Sequence, residues 1–192
     1  MVSPSPRKRR NAPETRARIL AAAQRAFSEM GYARAGIRDI AALAEVTSPM
    51  LLRYFGSKAG LFEEALASTI RLDELLRAER ADFGRRLADI LFDPMSDITP
   101  MTMIALSATD KEAGPIGARI AEAQAVAPLA AWLGAPDGRA RALEIVMAST
   151  GLLVYLRQLP LREAKGAERD HIRSWFAAAI QSIVDRADKR AG

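Results

Sequence analysis

Apolar residues recur along this chain every three to four positions, nearly from end to end. That is the period of the α-helix, in which positions i, i+3, i+4 and i+7 share one face. No stretch alternates apolar and polar residues as a half-buried strand would, and the pair Asp137-Gly138 falls between helical segments. The pattern predicts an all-α chain. A first helix is expected over 13–30, with Pro13 in its first turn, Gly31 as its stop, and Ile19, Leu20, Ala23, Phe27 and Met30 inward. A second covers 37–44 behind Gly36, and a tight turn at Glu45-Val46 follows. A third covers 48–54, capped by Thr47, with Pro49 in its first turn and Leu51 and Phe55 inward. A fourth starts near Ser57 and is expected to reach Arg80. Further helices are expected at 81–92, 98–109, 115–133, 138–158 and 167–188. Asp93-Pro94, Gly114-Pro115, residues 134–138, Pro160 and Gly166 separate them, and Pro100 and Pro128 predict a kink or break where they fall.

Two short helices joined by a tight turn and braced by a third make a helix-turn-helix. The major groove of DNA admits one α-helix, and a short one enters by its N-terminal end. The outward residues then meet DNA. Arg38 is long enough for a bidentate pair with guanine, and Thr47 and Ser48 can donate to phosphate. Pro49 and Met50 suit a thymine methyl, and Arg53 and Tyr54 reach the backbone from the far end of the helix. Lys58, beside free N–H groups in the first turn of the fourth helix, suits one phosphate.

Charge strengthens this picture. Residues 1–60 hold 11 Lys/Arg against 4 Asp/Glu, a net +7; the remaining 132 residues hold 17 against 19, a net −2. A basic head on a slightly acidic body fits nucleic acid, and on charge alone a membrane surface. The arm 1–12, with Arg7–Arg10, reads as flexible and suited to a neighbouring minor groove. The tail from Ala187 also reads as disordered. The arm has no apolar segment behind it, so it does not read as a secretory signal, and no apolar run approaches the roughly 18 residues of a membrane span. The chain has no Cys and one His, His171, which leaves little for nucleophile–base pairs or transition-metal sites and no phosphate-binding loop to supplement them. No enzyme, cofactor or metal is expected, and a reducing cytoplasm fits.

Residues 14–62 resemble the tetracycline-repressor (TetR) family of bacterial transcriptional regulators. The likeness rests on Thr15-Arg-Ala-Arg-Ile-Leu20, Ala26-Phe27, Gly31-Tyr32, Ile37-Arg-Asp-Ile-Ala41 and above all Leu51-Leu-Arg-Tyr-Phe-Gly-Ser-Lys-Ala-Gly-Leu-Phe62. Two departures stand out. Ala35 and Gly36 lie where the family often has a Thr or Ser phosphate donor, and Leu52 lies where it often has Tyr, which turns that position toward apolar base contact.

The resemblance implies a homodimer whose protomers each carry a three-helix DNA-binding head (13–57) and a larger helical body for effector binding and dimerisation (58–192). It implies a palindromic operator, a small-molecule effector of unknown identity, and usually repression. Dimerisation usually involves the last two helices. Consistent with that, Ile145–Leu156 is apolar nearly all round, and Ala148 and Gly151, beside Leu152, permit close approach. Trp175, Phe176, Ala179, Ile180 and Ile183 form the facing stripe of the last helix. Met101, Met103, Trp132 and Tyr155 are candidates for a ligand cavity and fit a plain core equally well. An alternative keeps the helix-turn-helix and makes the body a protein-interaction module without a small ligand; another makes the chain a sequence-independent DNA binder.

Overall fold

The computed structural model describes residues 12–93, 100–159 and 162–186. The basic arm Arg7–Arg10, Pro94, Pro160 and the tail lie outside the described residues. Every regular element described is helical: α1 (Ala12–Arg34), α2 (Ile37–Leu43), α3 (Ser48–Phe55), α4 (Lys58–Ala67), α5 (Asp73–Arg77), α6 (Phe83–Leu91), α7 (Pro100–Ser107), α8 (Ala113–Ala121), α9 (Ala127–Leu133), α10 (Gly138–Arg157) and α11 (Ala167–Asp185).

Two apolar cores organise these helices. The first gathers Ile19, Ala23 and Phe27 of α1, Ile40 and Ala41 of α2, Leu51 and Phe55 of α3, and Leu61, Phe62 and Leu66 of α4. Phe27, Tyr32 and Phe62 meet at its centre, with Phe27 and Phe62 edge to face at 5.1 Å. Met103 of α7 and Ala113 and Ile120 of α8 belong to the same core. The head therefore does not close on its own three helices, and α4, α7 and α8 complete it. The second core holds Leu75, Phe83, Leu87 and Leu91 against Val126, Leu129, Ile145, Leu153, Phe176 and Ile180. There α6 and α11 cross so closely that a Cβ on Gly84 would lie 2.2 Å from the carbonyl oxygen of Ala177.

Three helices differ from the sequence-based expectation. The fourth stops at Ala67, not near Arg80. Its last carbonyls are taken by hydroxyls: Ser68 donates to Glu64 and Ala65, and Thr69 to Leu66 (2.7 Å). Such local bonds compete with continued helix. The segment expected over 115–133 contains a π-helical turn, Glu122–Val126, immediately before Pro128. Proline lacks an N–H and crowds the carbonyl four residues back, and the widened turn absorbs both defects. The helix expected over 98–109 ends at Ser107, and its expected start lies outside the described residues.

Arginines hold the far end of the body. Arg141 is fully buried. It donates to the carbonyls of Leu133 (2.8 Å), Gly134 (3.0 Å) and Val184 (3.3 Å), at the C-terminal ends of α9 and α11. Arg80 donates to Trp132, Leu133 and Val184 from the other side. A cation at helix C-termini satisfies orphan carbonyls and complements the macrodipole. Arg141→Ala is expected to lower the unfolding free energy by about 3 kcal/mol in urea titration, because buried carbonyls lose their donor. Arg139→Ala, which breaks the exposed pair with Glu122, is expected to leave the midpoint unchanged.

Candidate nucleic-acid interface and body cavity

Helix α3 is set by its caps. The Thr47 hydroxyl oxygen accepts from the Met50 N–H (3.3 Å), and Pro49 sits in the first turn. Before it the chain turns through Glu45 (φ 53°), and the Val46 N–H returns to the Ala41 carbonyl at 2.9 Å. After it, Gly56 (φ 73°) ends the helix and Ser57 caps α4 by accepting from Gly60. Leu51 and Phe55 are buried, so the opposite side of α3 must face outward.

Arg38, Thr47, Pro49, Leu52 and Arg53 are exposed, and Ser48, Met50, Tyr54 and Lys58 are half-buried. The nine residues singled out for DNA thus all retain solvent access on α2, α3 and the start of α4. Gly36 caps α2 without a side-chain bond, as its lack of a hydroxyl requires. Leu43, at the end of α2, is also exposed, and sequence reasoning overlooked it. Lys58 is drawn back into the protein: its ammonium lies 4.5 Å from the centre of the Tyr32 ring and donates to the Ala33 carbonyl at 3.4 Å.

That lysine marks the seam between head and body, which sequence reasoning also missed. The Tyr32 N–H donates to the Ser107 hydroxyl oxygen (3.1 Å), and its phenol donates to Glu112. Burial, first, and the Glu112 carboxylate, second, push the Tyr32 phenol well above its ordinary pKa. Asp110 accepts from the N–H groups of Ala113 and Glu112, which hold its carboxyl below the usual range, with Lys58 adding to the effect. Gly31 has φ 71°, and a Cβ there would lie 2.9 Å from both Cβ and O of Leu106. The signal was present as a glycine at a helix end followed by a tyrosine, but nothing local says what packs on it.

Between α6, α7, α10 and the π-helical turn lies a cavity of about 540 Å³. Ile70 and Leu72, just beyond α4, close one side, and Met101 and Ile104 of α7 another. Of the residues proposed for an effector, Met101 lines it. Met103 does not: two positions along a helix turn the side chain to the other face, and Met103 is buried in the head core. Trp132 packs on Phe83 (4.9 Å) under the Arg80 guanidinium (4.6 Å), outside the lining. Tyr155 is 63% exposed on the outer side of α10.

The dimerisation residues divide similarly. Phe176 and Ile180 are buried in their own protomer, because their face of α11 packs on α6. Leu152, Ala179 and Ile183 are half-buried, and Ala148, Gly151 and Trp175 are exposed. Leu143, Met147, Gly151 and Tyr155, four residues apart, form an exposed stripe along α10 that the sequence reading had not assembled.

Residues 19–65 match the family model described as bacterial regulatory proteins of the tetR family, and residues 81–184 match the tetracyclin repressor-like C-terminal domain. The chain belongs to the TetR family. It is a DNA-binding transcriptional regulator with a helix-turn-helix head. One curated relative, the HTH-type transcriptional regulator TtgR of Pseudomonas putida, is 42% identical over 77 residues, which cover 40% of this chain and only 37% of that protein. A putative TetR-family regulator from Rhodococcus sp. has the same fold at a TM-score of 0.70, with 21% identity over 90% of this chain and 99% of that one. A putative regulator from Saccharomonospora viridis, solved in complex with choline, aligns at a TM-score of 0.60, with 19% identity over 88% of this chain and 96% of that one.

Among the described residues, no helix is long and apolar enough to cross a membrane, and no cluster of His, Asp or Glu could hold a metal ion. For this TetR-family chain, Gly31→Ala is expected to cost about 2 kcal/mol of stability, from left-handed strain and the collision with Leu106. Thermal unfolding followed by circular dichroism measures it.

Proposed function

We propose that the protein is a homodimeric repressor that binds a palindromic operator and is released by a small molecule lodged in the body cavity. The observation that carries this reading is that one helix, α7, touches both places. Its Pro100, Met101 and Ile104 line the cavity, and its Leu106 and Ser107 press on Gly31 and Tyr32. Backbone meets backbone at Gly31, so little slack exists for α7 to move alone.

Regulation requires a difference in affinity. The effector must bind a state with wrongly spaced heads more tightly than the DNA-competent state. Moving a population from 99:1 to 1:99 takes about 5.5 kcal/mol of such preference. A ligand that displaces α7 shifts α1, and through Phe27, Ile40 and Leu51 the core that seats α3. The segment following α4 offers a second route, since Thr69 and Ile70 line the cavity and Lys58 stands at the helix's other end. The DNA period does not adjust, so a change in head spacing weakens binding.

The exposed stripe on α10, with Trp175 of α11, supplies the face for self-association. A two-fold dimer presents two copies of α3 related by symmetry. Arg38, Thr47, Ser48, Pro49, Met50, Leu52, Arg53, Tyr54 and Lys58 are the residues assigned to the duplex, with Lys58 leaving the Tyr32 ring to reach phosphate. The protein-interaction alternative would be favoured by a body without an internal space, and the 540 Å³ cavity supports the effector reading instead.

Selection of bound duplexes from a random pool tests this. The expected product is an inverted repeat with half-site centres about 34–36 Å apart or a multiple of that. No enrichment, or a lone half-site, overturns it. On the selected duplex, Arg38→Ala is expected to cost about 1–3 kcal/mol and to relax preference at one base pair; equal weakening on every duplex would assign Arg38 to phosphate alone.

A further inference from the structure

We infer that the cavity takes an uncharged, largely apolar molecule, an inference that rests on the effector reading above and narrows it. The walls are Phe83, Leu87 and Leu91 of α6, Met101 and Ile104 of α7, and Leu129 and Ile145 behind them. Apart from the Thr150 hydroxyl, the polar side chains among the described lining residues are already engaged or outside. The Ser149 hydroxyl donates to the Ile145 carbonyl (2.8 Å), and the Thr69 hydroxyl to Leu66. Arg71 and Glu74 are the charged residues of the lining, and they face each other at 3.7 Å with side chains 79% and 82% exposed. They mark the mouth of the cavity, together with the exposed Ile90.

An ion entering this space would shed its hydration with no buried counter-charge among the described lining residues to replace it. An apolar ligand suffers no such loss and gains with every area of surface it removes from water. The Thr150 hydroxyl also borders the cavity and has no hydrogen-bond partner among the described residues, so it is the group available to orient a ligand hydroxyl or carbonyl. Pockets of this kind fix a greasy body by shape and its direction by one or two polar contacts. The contrast is with a cation such as choline, which needs an aromatic cage or a carboxylate; here the acidic residue of the described lining, Glu74, sits in water and is already paired.

The test is a titration of the full chain at pH 7 with three probes that share one ring system and differ in charge: 1-pyrenemethanol, 1-pyrenecarboxylate and 1-pyrenemethylammonium. Pyrene emission reports both binding and the polarity around the ring. A cavity-filling variant, Ala121→Phe, locates the site, with circular dichroism and duplex binding verifying its fold. The expected result is that the alcohol binds at least about tenfold more tightly than either ion, reports an apolar environment, and is lost in Ala121→Phe. If either ion binds as tightly as the alcohol and is likewise lost in Ala121→Phe, the charge inference fails while the effector reading stands. If no probe binds, or binding ignores Ala121→Phe, the cavity itself is not a ligand site and the effector reading fails with the inference.

Discussion

The contact of Gly31 with Leu106 is the constraint on which the rest of the structure depends. It is the place where the DNA-binding head and the cavity-bearing body come so close that a Cβ on Gly31 would lie 2.9 Å from Cβ and O of Leu106. A larger residue at 31 would separate α1 from α7, and Met103 would leave the head core. With glycine there, the aromatic centre formed by Phe27, Tyr32 and Phe62 extends without a gap from the back of α3 to α7 and α8. Interiors this close-packed do not deform continuously, so a displacement on one side of the seam has to appear on the other. The polar contacts of Tyr32 with Ser107 and Glu112, and of Lys58 with the Tyr32 ring, fix the register of that seam.

The head was legible in the sequence because its signals are local. Thr47 with Pro49, the four-residue spacing of Leu51 and Phe55, and Gly56-Ser57 each act within a turn or two, and each appears as a cap, a buried pair or a stop. The body was legible as helical but not in its division: the segment expected as one helix from Ser57 to Arg80 gives α4 and α5, and that over 115–133 gives α8 and α9. Ser68 and Thr69 end α4 with their own hydroxyls, a competition that hydrophobic periodicity does not register. The cavity was hidden for a different reason: its lining has the composition of a core, and only the packing of distant segments leaves the space between them. Met101 and Met103 illustrate this, since the same residue type two positions apart faces the cavity in one case and the head core in the other.

The last two helices show the same limit at the surface. Small size singled out Ala148 and Gly151, both of which are exposed, but an apolar stripe alone could not separate a protomer core from a partner face. On α11 the row Phe176–Ile180–Val184 went to α6, and Trp175, one residue to the side, was left in solvent. Burial by a neighbouring helix decides which stripe is available, and that neighbour is far away in sequence.

Amide hydrogen exchange on the free and duplex-bound protein reads head and body in one experiment. If the Gly31–Leu106 contact couples the two, duplex slows exchange in α3 and also, at a distance, in α7 around Leu106 and Ser107 and in the cavity wall at Ile70–Leu72. Slowing confined to α1–α3, with α7 and the cavity wall exchanging as in the free protein, would mean that head and body are not coupled through this contact.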